Sequence, residues 1–279
     1  MLRITLIGAA IALLPADSVV AQSSIDYKRF LVPVATASAV AGAYGSIWET
    51  RLSVTNSTDH PVSIVGYAPS PSGCGIATCP PLEPVAPTPP GTSFVPFRLT
   101  VYASPAQFFG VDRNNAGQVH FQLHVHDLSR EADDWGTQIP VVEETEFTSS
   151  ELELLSVPAD ARFRSLLRIY SLKPRSEIVQ IQIWSYPSDQ RSPIELTRQP
   201  VTDTLVTTLE VRVQPVLSKD TVYPNVFDHG YAEVPIVLPP LPNRFLRVRV
   251  HPQENDAQIW AFIAITNNAT QHVTTMVPN

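Results

Sequence analysis

The run Val119-His120-Phe121-Gln122-Leu123-His124-Val125-His126 alternates apolar and polar residues without a break. In a strand this puts His120, Gln122, His124 and His126 on one face and the apolar set on the other. Side chains two apart on a strand face stand about 6–7 Å apart, a span that two imidazoles bridge by sharing a Zn²⁺ or Cu²⁺. His124 and His126 are therefore the candidate metal ligands, with His120 in support and Asp127, Asp133 or Asp134 as third ligand. A solvated strand face explains the same pattern. The later alternating run Leu246-Arg247-Val248-Arg249-Val250-His251 carries two arginines on the matching face, and arginine does not ligate metals.

Other constellations are weaker. Glu143, Glu144, Glu146, Glu151 and Glu153 form an acidic run that suits a calcium ion or a glycosidase pair, and equally a solvated linker face. Trp48, Trp135, Trp184 and Trp260 suit a sugar-stacking platform, although their strand positions favour core packing. No nucleophile elbow, His-Glu-x-x-His, phosphate-cradling glycine loop or calcium loop occurs, and no catalytic residue is assigned. The sequons at Asn56 and Asn268 read as surface turns.

The elements that position these residues are short alternating strands punctuated by Pro, Asn, Asp and Ser, the pattern of antiparallel sandwiches. No 3.6-residue stripe runs beyond about two turns. An offset of 125 matches His126 and Trp135 with His251 and Trp260, each pair reading as strand, hairpin loop, strand. Residues 48–64 and 164–183 give a second pair of hairpin-like patterns. Phe30-Leu31-Val32-Pro33-Val34 and Ile139-Pro140-Val141-Val142 each open a unit with a proline-bearing edge strand. The expected domains are 22–137 and 138–279.

With 27 prolines, 11 glycines and 44% hydrophobic residues, the chain is neither collagen nor disordered. Its net charge of −7 argues against nucleic acid and anionic membrane as main partners. Residues 1–21 pair Arg3 with a short apolar core and end Val19-Val20-Ala21, as a cleavable signal peptide does. No later apolar run is long enough to span a bilayer, so the expected address is the periplasm or the exterior. There Cys74 and Cys79 are expected to form a disulfide across a tiny loop. Residues 68–93 hold both cysteines and eight of the 27 prolines, enough to stiffen a loop that long. Pro71, Gly73, Ile76, Pro80 and Pro81 are its candidate recognition residues.

The stretches Gly45-Ser46-Ile47-Trp48-Glu49-Thr50-Arg51-Leu52-Ser53-Val54-Thr55-Asn56 and Ile259-Trp260-Ala261-Phe262-Ile263-Ala264-Ile265-Thr266-Asn267 resemble the strand B region of immunoglobulin-like modules in secreted bacterial proteins. The resemblance implies two tandem immunoglobulin-like β-sandwiches, without the paired inter-sheet cysteines of antibody domains. It implies no substrate. The reading is an all-β, secreted or periplasmic, non-catalytic binding or adhesion protein whose partner is a protein or carbohydrate of the cell envelope. The alternatives are a periplasmic Zn or Cu binder using the histidine column, and a chaperone-like binder of extended segments at an edge strand.

Overall fold

A computed structural model describes residues 27–34, 39–66, 84–95, 106–130, 136–173, 175–187, 203–217, 226–239, 241 and 244–278. Residues 1–21, expected as a signal peptide, Cys74 and Cys79, the loop residues Pro71, Gly73, Ile76, Pro80 and Pro81, and Asp133, Asp134 and Trp135 lie outside the described residues. The protein is all-β and its sheets are antiparallel. Among the described residues no helix is long and apolar enough to cross a membrane.

The first group of strands comprises β1 (Tyr27–Val32), β2 (Val40–Ala41), β3 (Ile47–Asn56), β4 (Val62–Gly66), β5 (Pro84–Thr88), β6 (Gly91–Val95), β7 (Gln107–Asp112), β8 (Val119–Asp127), β9 (Thr137–Ile139) and β10 (Val142–Glu143). The second comprises β11 (Leu152–Pro158), β12 (Phe163–Ser171), β13 (Glu177–Pro187), β14 (Thr204–Leu217), β15 (Val226–Ile236), β16 (Arg244–Pro252), β17 (Ile259–Asn267) and β18 (Val273–Met276).

Both groups repeat one pairing order. In the first, β1-β7-β4-β5 form one sheet, extended by β10, and β6-β3-β8-β9 the other, with β2 also on β3. In the second, β11-β16-β13-β14 and β15-β12-β17-β18 correspond strand for strand, and β14 continues across to pair with β15. Residues 148 and 259 bridge, and β11 packs beside β17 and β18, so the second group curls nearly into a barrel.

An immunoglobulin sandwich pairs its first strand with its second and its seventh with its sixth. Here β11 pairs with β16 and β17 with β12, so the first and seventh strands have exchanged sheets.

This order revises the repeat expected from the sequence. The offset of 125 matches β8 with β16, but the strand that occupies the place of β8 is β17, 140 residues on. β16 and β17 are no hairpin: β16 pairs with β11 and β13, and β17 with β12 and β18. The paired patterns at 48–64 and 164–183 do correspond, but neither is a hairpin: β3 and β4 lie in different sheets, and β12 and β13 do not pair with each other. Pairing of β9 with β8 and of β10 with β1 carries the first group past the expected break at Gln138.

Corresponding strands end alike, because a side-chain oxygen accepts the N–H two residues on. Asn56 takes Thr58 N at 3.0 Å, Asp127 takes Ser129 N at 3.1 Å, Ser171 takes Lys173 N at 3.1 Å and Asn267 takes Ala269 N at 2.9 Å. Such turns release the chain from the ladder at a fixed residue.

One core lies inside the second group, where Leu167, Ile181, Val248 and Ile263 are fully buried. The other fills the first group, where Phe30 and Phe109 pack on Phe121. It also takes in Tyr170, Trp260 and Phe262 from the second group. Strand β17 is therefore buried on both sides: Ile259, Ala261, Ile263 and Ile265 face the inner core, and Trp260, Phe262 and Ala264 face the first group.

Polar groups lock this junction. Burial pushes the Tyr170 phenol well up, keeping it a donor, and it bonds the Pro33 carbonyl. Arg29 is paired with Glu144 at 3.2 Å and lies 4.6 Å over the Phe108 ring, which also meets the buried His229 and Phe147.

Candidate functional site

The histidine column stands on β8 with its face outward: His120 is exposed, and His124 and His126 are half-buried. The His124 and His126 rings lie 6.1 Å apart. Across the ladder on β3 stand Thr55, Arg51 and Glu49, with Arg51 bonded to Glu49 at 2.9 Å, so a guanidinium sits on the strand position opposite His124. His126 packs on Gly136, where φ is +81° and an added Cβ would come within 2.6 Å of the ring. Asp127 is not a third ligand. Strand alternation turns it to the opposite face, and its Oδ1 accepts Ile47 N at 2.9 Å and the Ser129 hydroxyl at 2.7 Å. Among the described residues, no group of three or more His, Cys, Asp or Glu is placed to hold a metal ion.

The acidic run is divided between two tasks. Glu143 and Glu144 bind Lys28 and Arg29 on β1, while Glu146 caps the single 3-10 turn at Glu144–Glu146. Glu151 and Glu153 bind Arg249 on β16. The three described tryptophans form no platform: Trp48 is on β3, Trp184 on β13 and Trp260 on β17, and β3, β13 and β17 do not pair with one another. Trp260 is core. Trp48 packs over Gly42, and Trp184, half-buried on the outer face of β13, donates to Gln182 at 3.2 Å beneath the Arg249 guanidinium.

The feature that the sequence pattern did not single out is the edge of β14. Along 204–213 this strand pairs with β13 on one side, from Val213 opposite Glu177 to Thr204 opposite Ser185. Its other side meets β15 only from Gln214 onward. Among the described residues, 204–213 has no strand on that side. Alternate N–H and C=O groups of such a strand point outward with no ladder partner.

The side chains tell the same story. Leu209 lies opposite the fully buried Ile181 and so points to the barrel interior, yet 36% of it is exposed. A bulge between Ile183 and Trp184 turns Leu205 to the outer face beside Trp184, where it is 45% exposed. The stretch Thr204-Leu205-Val206-Thr207-Thr208-Leu209-Glu210-Val211-Arg212-Val213 is rich in β-branched residues and free of proline. Its first proline, Pro215, falls where β15 takes over.

The edges at β2, β5, β9, β10, β11 and β18 are closed by familiar devices. β2 and β10 have two residues each. β5 carries Pro84 and Pro87, which lack an N–H to offer. β9 and β18 cover one another, with the Thr137 hydroxyl on the Val273 carbonyl at 2.7 Å. β11 is bulged between Leu154 and Val157, with Ser156 at φ 62°.

Comparison with protein-family models, curated proteins and solved structures finds no match.

Proposed function

We propose that this is a non-catalytic binding protein that works in the periplasm or outside the cell, and that the edge of β14 takes up an extended segment of a partner polypeptide by strand addition. The observation that carries this reading is the ten-residue edge at 204–213, with an inward leucine left part-exposed. In strand addition, main-chain bonds supply affinity and alternate side chains supply selectivity. Every second residue of such an edge offers both an N–H and a C=O, and each main-chain bond made there adds about 0.5–1.5 kcal/mol net. The partner strand would place apolar residues two apart over Leu209 and Val211. The two groups of strands, locked through Tyr170, Trp260 and Phe262, serve as a rigid mount. Metal handling has less support, since the Arg51 position stands opposite His124 and no group of three His, Cys, Asp or Glu is placed to hold an ion among the described residues.

The test uses a soluble peptide with valine and threonine alternating and a lysine at each end. Fluorescence anisotropy should report binding, with Leu209→Lys weakening it at least about tenfold, since an inward charge blocks an edge. Equal binding by Leu209→Lys, or none by the parent protein, would overturn the reading.

A further inference from the structure

The same edge meets a second candidate strand, its own copy on another molecule. Edge strands of this length template pairing with any matching strand, and an identical chain is always at hand. We infer that without its partner the protein masks the edge by pairing β14 with β14 of a second copy, antiparallel about a two-fold axis at Leu209. This rests on the strand-addition reading and adds its regulation: the partner's strand must displace the second copy.

Side chains select the axis. At Glu210 it would set two glutamates directly opposite, and like charges there are destabilising. At Leu209 it sets the two exposed leucines against each other, Thr208 opposite Glu210 and Thr207 opposite Val211, with no like charges directly opposed. Both inward leucines then gain the cover that the barrel lacks along this edge. The interface is small. Ten residues span about 33 Å of strand, and at a sheet thickness of about 10 Å the total buried falls well under the roughly 1,200–2,000 Å² of stable complexes. The dimer is accordingly weak and exchangeable, which a displaceable mask requires.

The experiment is disulfide capture on the full chain, with the parent protein as control for its own two cysteines. Directly opposed residues have Cα atoms about 4.5–5.5 Å apart, within disulfide reach. Leu209→Cys should therefore give a covalent dimer under mild oxidation. Thr207→Cys should not, because its two copies lie four residues apart, about 13 Å along the strands. The alternating peptide should suppress the Leu209→Cys dimer, and sedimentation of the parent protein should show a concentration-dependent dimer that Leu209→Lys abolishes. Thermal unfolding of each variant establishes that it folds. Peptide binding with no dimer, or equal linkage at both positions, would overturn the mask and leave the strand-addition reading standing. Absence of both peptide binding and dimer would overturn the two together.

Discussion

Strands β8 and β17 hold the same place in two sheets of one pairing order, have nine residues each and end in the same kind of side-chain turn. Their inward faces are both apolar: Val119, Phe121, Leu123 and Val125 against Ile259, Ala261, Ile263 and Ile265. Their outward faces are not. β8 turns His120, Gln122, His124 and His126 outward, whereas β17 turns Trp260, Phe262 and Ala264 onto the first group. Equivalent strands thus keep an apolar inward face, and the outward residues record what covers the sheet. The edge strands repeat the lesson. β5 and β14 are equivalents, but β5 is five residues with two prolines while β14 runs for fourteen, ten of them with no strand on one side among the described residues. One group carries a closed edge and the other an open one.

Breaking the covered face should have the largest effect. Trp260→Ala removes a buried side chain shared between the two groups, and such truncations cost about 3–5 kcal/mol, to be read by chemical denaturation.

The turn that ends β8 comes next. Burial alone would raise the Asp127 carboxyl, but hydrogen bonds from the Ser129 side chain and the Ile47 and Ser129 backbone, with the Arg130 charge, hold it below its usual value. A depressed carboxyl stabilises the fold fully above its unfolded pKa, about 3.9, and loses that contribution as pH falls through the folded value. Asp127→Asn should remove this acid-dependent part and cost about 1–3 kcal/mol at neutral pH, measured by urea unfolding across pH 2–7.

Sharpening the edge comparison asks for smaller changes. Pro84→Thr with Pro87→Thr restores two N–H groups to β5 and should give it a share of peptide binding, read as residual anisotropy in the Leu209→Lys background. The smallest effect belongs to the outward face of β8. His124→Thr with His126→Thr should leave stability within about 0.5 kcal/mol, as for surface positions generally. A larger loss, or a metal-dependent stability that the double substitution removes, would give the histidine pair a role beyond a solvated face.

Much of the strand content was legible because alternation is a local property. The inward and outward sets of β8, β12 and β13 follow directly from their residues. The partner of each strand did not follow. His126 and His251 share a nine-residue spacing to tryptophan, but β8 and β17 share a sheet position, and nothing in one alternating strand says which sheet it enters. The histidine column was legible as a face, and its cross-strand neighbours Arg51 and Glu49 were not, since register is a tertiary fact. The open edge escaped for the same reason: 204–213 reads as an ordinary strand until its single partner is known.

The most direct measurement is residue-resolved hydrogen exchange of 204–213, made at a concentration low enough to keep the protein monomeric, with and without the alternating peptide. An open edge requires alternate amides there to exchange fast in the free protein, those bonded to β13 to be slow, and the fast set to become protected when the peptide is added. Uniform protection of 204–213 before any peptide is present would mean that the edge is already covered, and would contradict the account.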